Sequence, residues 1–358
     1  MWAFGCLSTP NTVYASENGD ANDFSDANVT TIHIETTDGF GIVGAVEFGD
    51  RLMAFGKNQS FIIDDTDSST ANWGYSAAQW SGGTANFRLL VKTPNDIVSM
   101  TESGNIYSVM SAQSYGDYKK ASLTKPAFMD VWIQENIKLS LIDQFHAVYD
   151  KNLRAVKFFM TRNGYTENNV ALVYFIDRPP NEAWSIHENL SNASGYNASA
   201  SASIRVGTGD HKVYTGDYDG IVWKLEQTSK NDNNNAIDGR FKTPNLNFDN
   251  SRIKKNYARA YIIAQPESVS TDLTLDWWVD GKTQTQRIIT LGASGAVLDS
   301  FVLDTDVLGG DEVIDFPVNL KQNGKRLQIE LANNVTDQDF FISEIQVDFK
   351  PLGAEAGK

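Results

Sequence analysis

Four histidines, His33, His146, His187 and His211, are the first candidates for chemistry, because imidazole is the usual general base and metal ligand near neutral pH. They lie far apart, and no two have a metal-ligand spacing such as His-x-x-x-His. The Gly-x-Ser-x-Gly nucleophile motif is also absent. We therefore interpret His146 as a hydrogen-bonded residue at a strand edge and predict no catalytic residue.

Carboxylates are the second candidates, and two small clusters stand out. Asp64, Asp65 and Asp67 form one, and Asp217 and Asp219 form the other. Neither matches the twelve-residue calcium loop, and aspartate is expected in turns because its side chain accepts from nearby backbone N–H groups. We predict no metal and no cofactor, with a metal ion in one of these loops as the alternative.

A third acidic set falls in a segment without lysine or arginine. Such a cluster is usually a solvated face, although the same field could line a channel. The candidate channel-lining residues are Asp299, Asp304, Asp306, Asp311, Glu312 and Asp315.

Aromatic and basic residues are candidates for contact with a partner. The loop at residues 64–86 is long and polar, and its embedded aromatic rings favour binding. A basic stretch further on could pair with carboxylates of a neighbouring subunit or with phosphate, and an ordinary solvated linker is the alternative. The candidate interface residues are Trp73, Tyr75, Trp80, Arg252, Lys254, Lys255 and Arg259.

The elements that must position these residues are strands. Segments of alternating apolar and polar residues recur between Gly, Asn and Asp turns, as in Ser203 to Leu225, where Asp219-Gly220 is a hairpin signal. Similar meanders occur around residues 52–63, 96–109 and 145–186. Units of about 40 to 50 residues that cannot bury both faces alone predict a β-propeller, with an irregular sandwich as the alternative.

Two departures from this pattern are predicted. Residues 128–137, after Pro126, have apolar spacing typical of one short helix. Beyond a polar run at residues 230–235, further strands predict a C-terminal antiparallel β-sandwich or jelly roll. The expected organisation is a propeller at residues 1–235, a sandwich at 236–352 and a tail at 353–358.

Composition limits the class of protein. The chain has 358 residues, 41% of them hydrophobic, which excludes overall disorder. Its net charge of −15 argues against a dedicated duplex-DNA clamp, and the single cysteine, Cys6, excludes an intrachain disulfide. The longest apolar run is too short for a membrane helix, and Met1 to Pro10 lacks the pattern of a secretory signal.

The order of several motifs resembles a known family. Trp2-Ala3-Phe4-Gly5 precedes Pro10 to Glu17, and these are followed by Arg51 to Ile63, Ala147 to Asp150 and Tyr214 to Gly220. This order resembles the nozzle or tail-hub proteins, also called packaged-DNA stabilisation proteins, of short-tailed bacteriophages. Members of that family carry more sequence before the first blade, so the resemblance implies an incomplete or irregular propeller, or one closed by another strand.

The resemblance implies a structural virion protein of the tail or head-to-tail connector, assembled in the host bacterial cytoplasm and without enzymatic activity. Six copies would form a ring that retains DNA and conducts it at ejection, without sequence-specific binding and without contact to a membrane. Portal or adaptor proteins, other tail proteins and a tail fibre or needle would be its partners. The alternative is a carbohydrate-binding or carbohydrate-active propeller, such as a lectin, adhesin or glycosidase, with Trp73, Tyr75 and Trp80 as a sugar-stacking platform.

Overall fold

The fold is taken from a computed structural model that describes residues 1–352 except 18, 189–196, 227–229, 233, 249, 266–270 and 292–313. Its contacts divide the chain into two units, Met1–Gln227 and Thr228–Lys358. We expected the boundary at residue 235, whereas the contacts divide the chain after Gln227. The expected tail at 353–358 lies outside the described residues.

Five antiparallel sheets make up the described part of the first unit, and each is a meander of strands that are consecutive in the chain. We call them blades 1 to 5. Blade 1 has β1 Trp2–Ala3, β2 Thr12–Ala15 and β3 Thr30–His33, and blade 2 has β4 Gly44–Phe48, β5 Arg51–Phe55, β6 Ser60–Asp64 and β7 Gly74–Ala77. Blade 3 has β8 Leu90–Lys92, β9 Ile97–Met100 and β10 Ile106–Ser108, and blade 4 has β11 His146–Asp150, β12 Ala155–Met160, β13 Val170–Phe175 and β14 Trp184–His187. Blade 5 has β15 Ala198–Arg205, β16 His211–Asp217 and β17 Val222–Lys224.

Four apolar clusters join each blade to the next. Phe61 and Ile63 of blade 2 pack with Val13 of blade 1, and the opposite face of blade 2 packs on blade 3 through Phe55. Two further clusters join blade 3 to blade 4 and blade 4 to blade 5. Because successive side chains of a strand point to opposite faces, each inner blade buries one face against each neighbour. This stacking confirms the predicted β-propeller.

The first strands of blades 2 to 5 lie side by side. β4 neighbours β8, β8 neighbours β11, and β11 neighbours β15. These strands therefore surround the axis about which the blades are arranged, and the last strand of each blade lies at the outer rim.

Blade 3 carries two α-helices after its outer strand. Helix α1 spans Val109–Tyr115 and begins at Ser108, whose hydroxyl accepts from the backbone N–H of Ser111. Helix α2 spans Met129–Asn136, which confirms the helix predicted after Pro126. Helix α1 was not predicted.

In its described residues, the second unit has one two-stranded sheet, β18-β19, and two larger sheets that face each other. One sheet has the order β20-β26-β22-β23 with β24 also on β22, and the other has the order β25-β21-β27. Residues of both, such as Leu273 and Ile262, form one apolar core, which confirms the predicted sandwich. The strands are β18 Asn231–Asp232, β19 Asn235–Ala236, β20 Gly239–Lys242, β21 Lys255–Ala264, β22 Thr271–Val279, β23 Lys282–Thr283, β24 Arg287–Leu291, β25 Ile314–Gly324, β26 Leu327–Asn333 and β27 Ile342–Pro351.

A polar pair lies within the contact between blades 4 and 5. His146 is buried and stacks on Phe159 with ring centroids 4.9 Å apart. The buried Asn168 amide donates to the carbonyl of Ala198 in blade 5 at 3.0 Å and lies 3.5 Å from His146 Nδ1. Burial, together with the nearby Arg88 guanidinium, lowers the pKa of His146 to about 4. The imidazole is therefore neutral in the folded protein at neutral pH. It packs as a buried side chain of blade 4.

We expect acidification to destabilise the first unit through His146. The unfolded imidazole takes up its proton near pH 6.5 and the folded one near pH 4, so stability falls between these values by about 3 kcal/mol. The measurement is the unfolding free energy at pH 7 and pH 4. His146→Gln should flatten this interval, whereas His33→Gln, at an exposed position, should leave it unchanged; equal slopes in the wild type and His146→Gln would contradict the assignment.

Candidate functional site

An open cleft of about 430 Å³ lies at the rim of blade 3. Three segments form it: the turn between β9 and β10, the chain that follows α1, and helix α2. Its lining residues are Ser103, Asn105, Tyr118, Lys119, Lys125, Asp130, Val131, Gln134 and Glu135. We call this the α2 cleft.

A glycine lets the β9–β10 turn approach the helix. Gly104 has φ +80°, and a Cβ at this position would lie 2.8 Å from Cγ2 of Ile133 in α2. Both the backbone conformation and the space therefore require glycine. The Gln134 side chain then donates to the Ser103 carbonyl at 2.5 Å, which fixes the turn on the helix.

Asn105 is the polar centre of the α2 cleft. Its Oδ1 accepts from the hydroxyls of Ser122 at 2.5 Å and Thr124 at 3.1 Å. Its Nδ2 is buried and has no hydrogen-bond partner among the described residues. An unpaired buried donor costs roughly 1 to 3 kcal/mol, so a ligand that accepts from Nδ2 would recover this energy on binding.

Aromatic rings lie in and beside the cleft. Tyr118 lines it and packs edge-on against the buried ring of Tyr107, with centroids 5.7 Å apart. Phe128, which immediately precedes α2, has φ 57° and is 76% exposed. A bulky residue rarely adopts this left-handed conformation, and such strain is concentrated at functional sites.

Charges of both signs line the cleft. Asp130 and Glu135 belong to α2, and Lys119 and Lys125 lie on the segment before it. Together with the Asn105 and Gln134 amides, they offer donors and acceptors around one open volume. The cleft can therefore hold a neutral ligand that is rich in hydroxyl groups.

The predicted aromatic loop does not form a surface platform. Trp80 is only 2% exposed and belongs to the core between blades 2 and 3, which corrects its assignment as an interface or sugar-stacking residue. Trp73 packs on Trp2 with centroids 5.7 Å apart, and its Nε1 donates to the Asp67 carbonyl. The Tyr75 hydroxyl accepts from the backbone N–H of Glu35 at 2.9 Å. These rings hold blades 1 and 2 together.

The predicted basic stretch is divided in the structure. Lys255 is 2% exposed and donates to three backbone carbonyls, including that of Asn250 at 2.6 Å, so its ammonium group is not available to a partner. This corrects its assignment as an interface residue. Arg252, Lys254 and Arg259 are exposed, and Arg259 donates to Asn319 at 3.2 Å.

Only one of the six candidate channel-lining residues lies in the described part of the chain. Asp299, Asp304, Asp306, Asp311 and Glu312 lie outside the described residues, and Asp315 is an exposed residue of β25.

The acidic turns have local roles. Asp67 accepts from the backbone N–H of Ser69 and from the Asn72 amide, which hold the pKa of Asp67 below its ordinary value. Asp217 accepts from the N–H groups of Asp219 and Ile221 and from the indole of Trp223. Among the residues that the structure describes, no group of three or more His, Cys, Asp or Glu side chains could hold a metal ion.

Sequence reasoning missed the α2 cleft because its residues come from three separate segments without a common motif. The local signals were Gly104 in a predicted turn and a polar face on the predicted helix.

No helix in the described ranges is long and apolar enough to span a bilayer.

Comparisons with known proteins give a likeness of fold only. No family model matches the chain, and no curated protein matches it. A variant of exo-β-1,3-galactanase from Phanerochaete chrysosporium, solved with β-1,3-galactotriose, is similar over 87% of this chain and 97% of its own, at 11% identity and a TM-score of 0.25. A glycoside hydrolase family 43 arabinoxylan arabinofuranohydrolase from Bacillus subtilis is similar over 94% of this chain and 63% of its own, at 9% identity and a TM-score of 0.25.

These similar structures are carbohydrate-active enzymes. We correct the expectation of a protein without enzymatic activity to this extent: the structures found to be similar are those of enzymes, so that expectation is withdrawn. At TM-scores of this size the likeness carries no argument about the reaction or the substrate of this chain.

We expect Trp80→Ala to destabilise the monomer by about 3 to 5 kcal/mol, the usual cost of deleting a buried tryptophan side chain. Trp73→Ala, at a half-buried position, should cost less. Hydrogen-exchange mass spectrometry of peptides from blades 2 and 3 measures both effects. A Trp80→Ala protein with wild-type protection would contradict the core assignment.

Proposed function

We propose that the protein binds carbohydrate through the α2 cleft. The observation that carries the proposal is the buried Nδ2 of Asn105, which has no partner among the described residues, in a cleft that Tyr118, Gln134 and Asp130 also line.

A sugar fits this chemistry for two reasons. Its hydroxyl groups both donate and accept, so one residue of the ligand can accept from the Asn105 amide and donate to the Asp130 carboxylate. Its C–H face is apolar and suits an aromatic ring such as that of Tyr118. The cleft volume of about 430 Å³ is also within the usual range for small-molecule sites.

The same cleft holds the residues with which a hydrolytic activity would be tested. Glycoside hydrolysis generally requires two carboxyl groups at the scissile bond, and Asp130 and Glu135 are the two that line the cleft. Hydrolysis of a bound glycan should therefore be assayed with Asp130→Asn and Glu135→Gln beside the wild type.

We expect a glycan array to show specific binding by the intact protein, and titration calorimetry with the best ligand to show at least a tenfold loss for Asn105→Asp and for Tyr118→Ala. Asn105→Asp keeps the Oδ1 acceptor for Ser122 and Thr124 but removes the donor, and a wild-type circular dichroism spectrum of the variant separates loss of binding from loss of folding.

Matched controls are Asn181→Asp and Tyr165→Ala, which change exposed residues outside the cleft and should bind as the wild type does. Absence of any bound glycan, or wild-type affinity in both cleft variants, would refute the proposal.

We propose a second function, assembly into a ring in a bacteriophage tail, which rests on the order of the motifs along the chain and on blade 5. The hairpin between β16 and β17 exposes Tyr218, Ile221 and Val222, the last at 69%. β17 is also the last strand of this sheet in the described chain. Exposed apolar side chains on an edge strand favour contact with another protein, which supports a subunit contact there.

Mass photometry of the intact protein should then show a closed ring, which the motif order suggests has six copies, and Val222→Asp should reduce it to monomers. Leu7→Asp is the control, since Leu7 is fully exposed in the same unit and should leave the ring intact. A wild-type protein that remains monomeric at micromolar concentration would argue against this function.

A further inference from the structure

A second cavity, of about 300 Å³, lies on the axial side of the first unit. β8, β11 and β15, the first strands of blades 3, 4 and 5, each contribute to its wall, and His211 at the start of β16 completes it. We call it the axial cavity. It is formed by different residues from the α2 cleft, which lies at the outer rim of blade 3.

Two lysines line the axial cavity, and among the described residues only one of them, Lys92, forms an ion pair. Lys92 Nζ is 3.6 Å from Glu47 Oε2 in an exposed pair, in which solvent screens most of the attraction. Lys151, which immediately follows β11, makes no ion pair within the described part of the chain.

The nearest aspartates along the chain are already engaged. Asp150 Oδ2 lies 3.3 Å from the buried Lys157, and its Oδ1 accepts from the backbone N–H groups of Asn152 and Leu153. Asp210 Oδ1 accepts from the Asn152 amide at 3.0 Å and lies 3.5 Å from Lys212. The Lys92 and Lys151 charges therefore remain available to a ligand.

His211 adds an unpaired polar atom to the same wall. Its Nδ1 is buried and has no hydrogen-bond partner in the described residues, while its carbonyl accepts from the Asn152 amide at 2.7 Å. The hydrogen bond from Asn152 thus fixes the backbone of His211, and the ring Nδ1 remains without a partner among the described residues. Ser203 of β15 contributes an exposed hydroxyl.

The wall also has apolar side chains. Leu90 of β8 and Ala147 of β11 line the cavity beside the lysines. Two ammonium groups bind an oxyanion by charge-assisted hydrogen bonds, and the apolar wall suits an uncharged body attached to it.

We propose that the axial cavity is a binding site for a small oxyanion ligand, a carboxylate or a phosphate carried on an uncharged body, held by Lys92 and Lys151. This site does not depend on the carbohydrate-binding function proposed for the α2 cleft.

Titration calorimetry of the intact protein with benzyl alcohol, benzoate and phenyl phosphate tests the site, since the three probes share a ring, differ in charge and are not carbohydrates. We expect at least one of the two anions to bind at least tenfold more tightly than benzyl alcohol. Binding of benzoate alone identifies a carboxylate ligand, binding of phenyl phosphate alone identifies a phosphate ligand, and binding of both supports the shared chemistry.

Lys92→Met and Lys151→Met should each weaken anion binding at least fivefold and keep the wild-type circular dichroism spectrum. Lys120→Met, an exposed lysine outside the cavity, and Asn105→Asp, in the α2 cleft, should leave anion binding unchanged. Equal binding of benzyl alcohol and the anions, no binding of any probe, or an equal loss in Lys120→Met would overturn the proposal.

Discussion

The structure of the first unit depends on one constraint: a meander of three or four strands has two apolar faces and too little chain to cover either. Blade 4 shows the result, because all six residues of its second strand, β12, are buried. Val156 and Phe158 of this strand belong to the cluster shared with blade 3 and Phe159 to the cluster shared with blade 5. Blade 5 differs, since the second half of its first strand, β15, is exposed. Stacking therefore decides which surfaces are core and which remain open to partners.

The same constraint explains a buried charge. Lys157 lies on the face of β12 toward blade 5 and is almost fully buried, where it contacts Asp150 at 3.3 Å and forms an ion pair with Glu226. An unpaired ammonium in this position would be strongly unfavourable, so the two carboxylates are required once blade 5 covers the strand. Because Glu226 follows β17, the ion pair also connects the second strand of blade 4 with the end of blade 5. This ion pair is a specific polar contact in an interface between blades that is otherwise apolar.

Local patterns predicted the blades well because hairpins are encoded locally. Asp219-Gly220 marks the turn between β16 and β17, where Gly220 has φ +85°. Strand β25 contains Pro317, and proline is tolerated there since β25 is an edge strand of its described sheet. Helix α1 is only seven residues long and has no apolar period.

The burial of Trp80 and Lys157 depends on the neighbouring blade, and no spacing in their own segment indicates it. The α2 cleft was likewise not predictable, since Asn105, Tyr118 and Gln134 meet only after the strand and the helix have packed.

Blade 3 separates the two candidate sites by its own width. Lys92 ends the first strand of this blade at the axis, whereas α2 follows its last strand at the rim. With neighbouring strands about 4.8 Å apart, two intervening steps place roughly 10 Å of paired backbone between the axial cavity and the α2 cleft. Val98 and Ser99, in the middle strand, are buried, so this layer is packed on both faces. A ligand at one site therefore contacts none of the lining residues of the other, and both sites can be occupied in one molecule. The helices that form the cleft are additions to the meander, whereas the lysines of the axial cavity lie on or beside the strands that every blade requires. Substitutions in the inserted helices can consequently change the α2 cleft without changing the fold. The residues of the axial cavity, in contrast, also pair with a neighbouring strand or end a strand, so substitutions there affect the blades themselves.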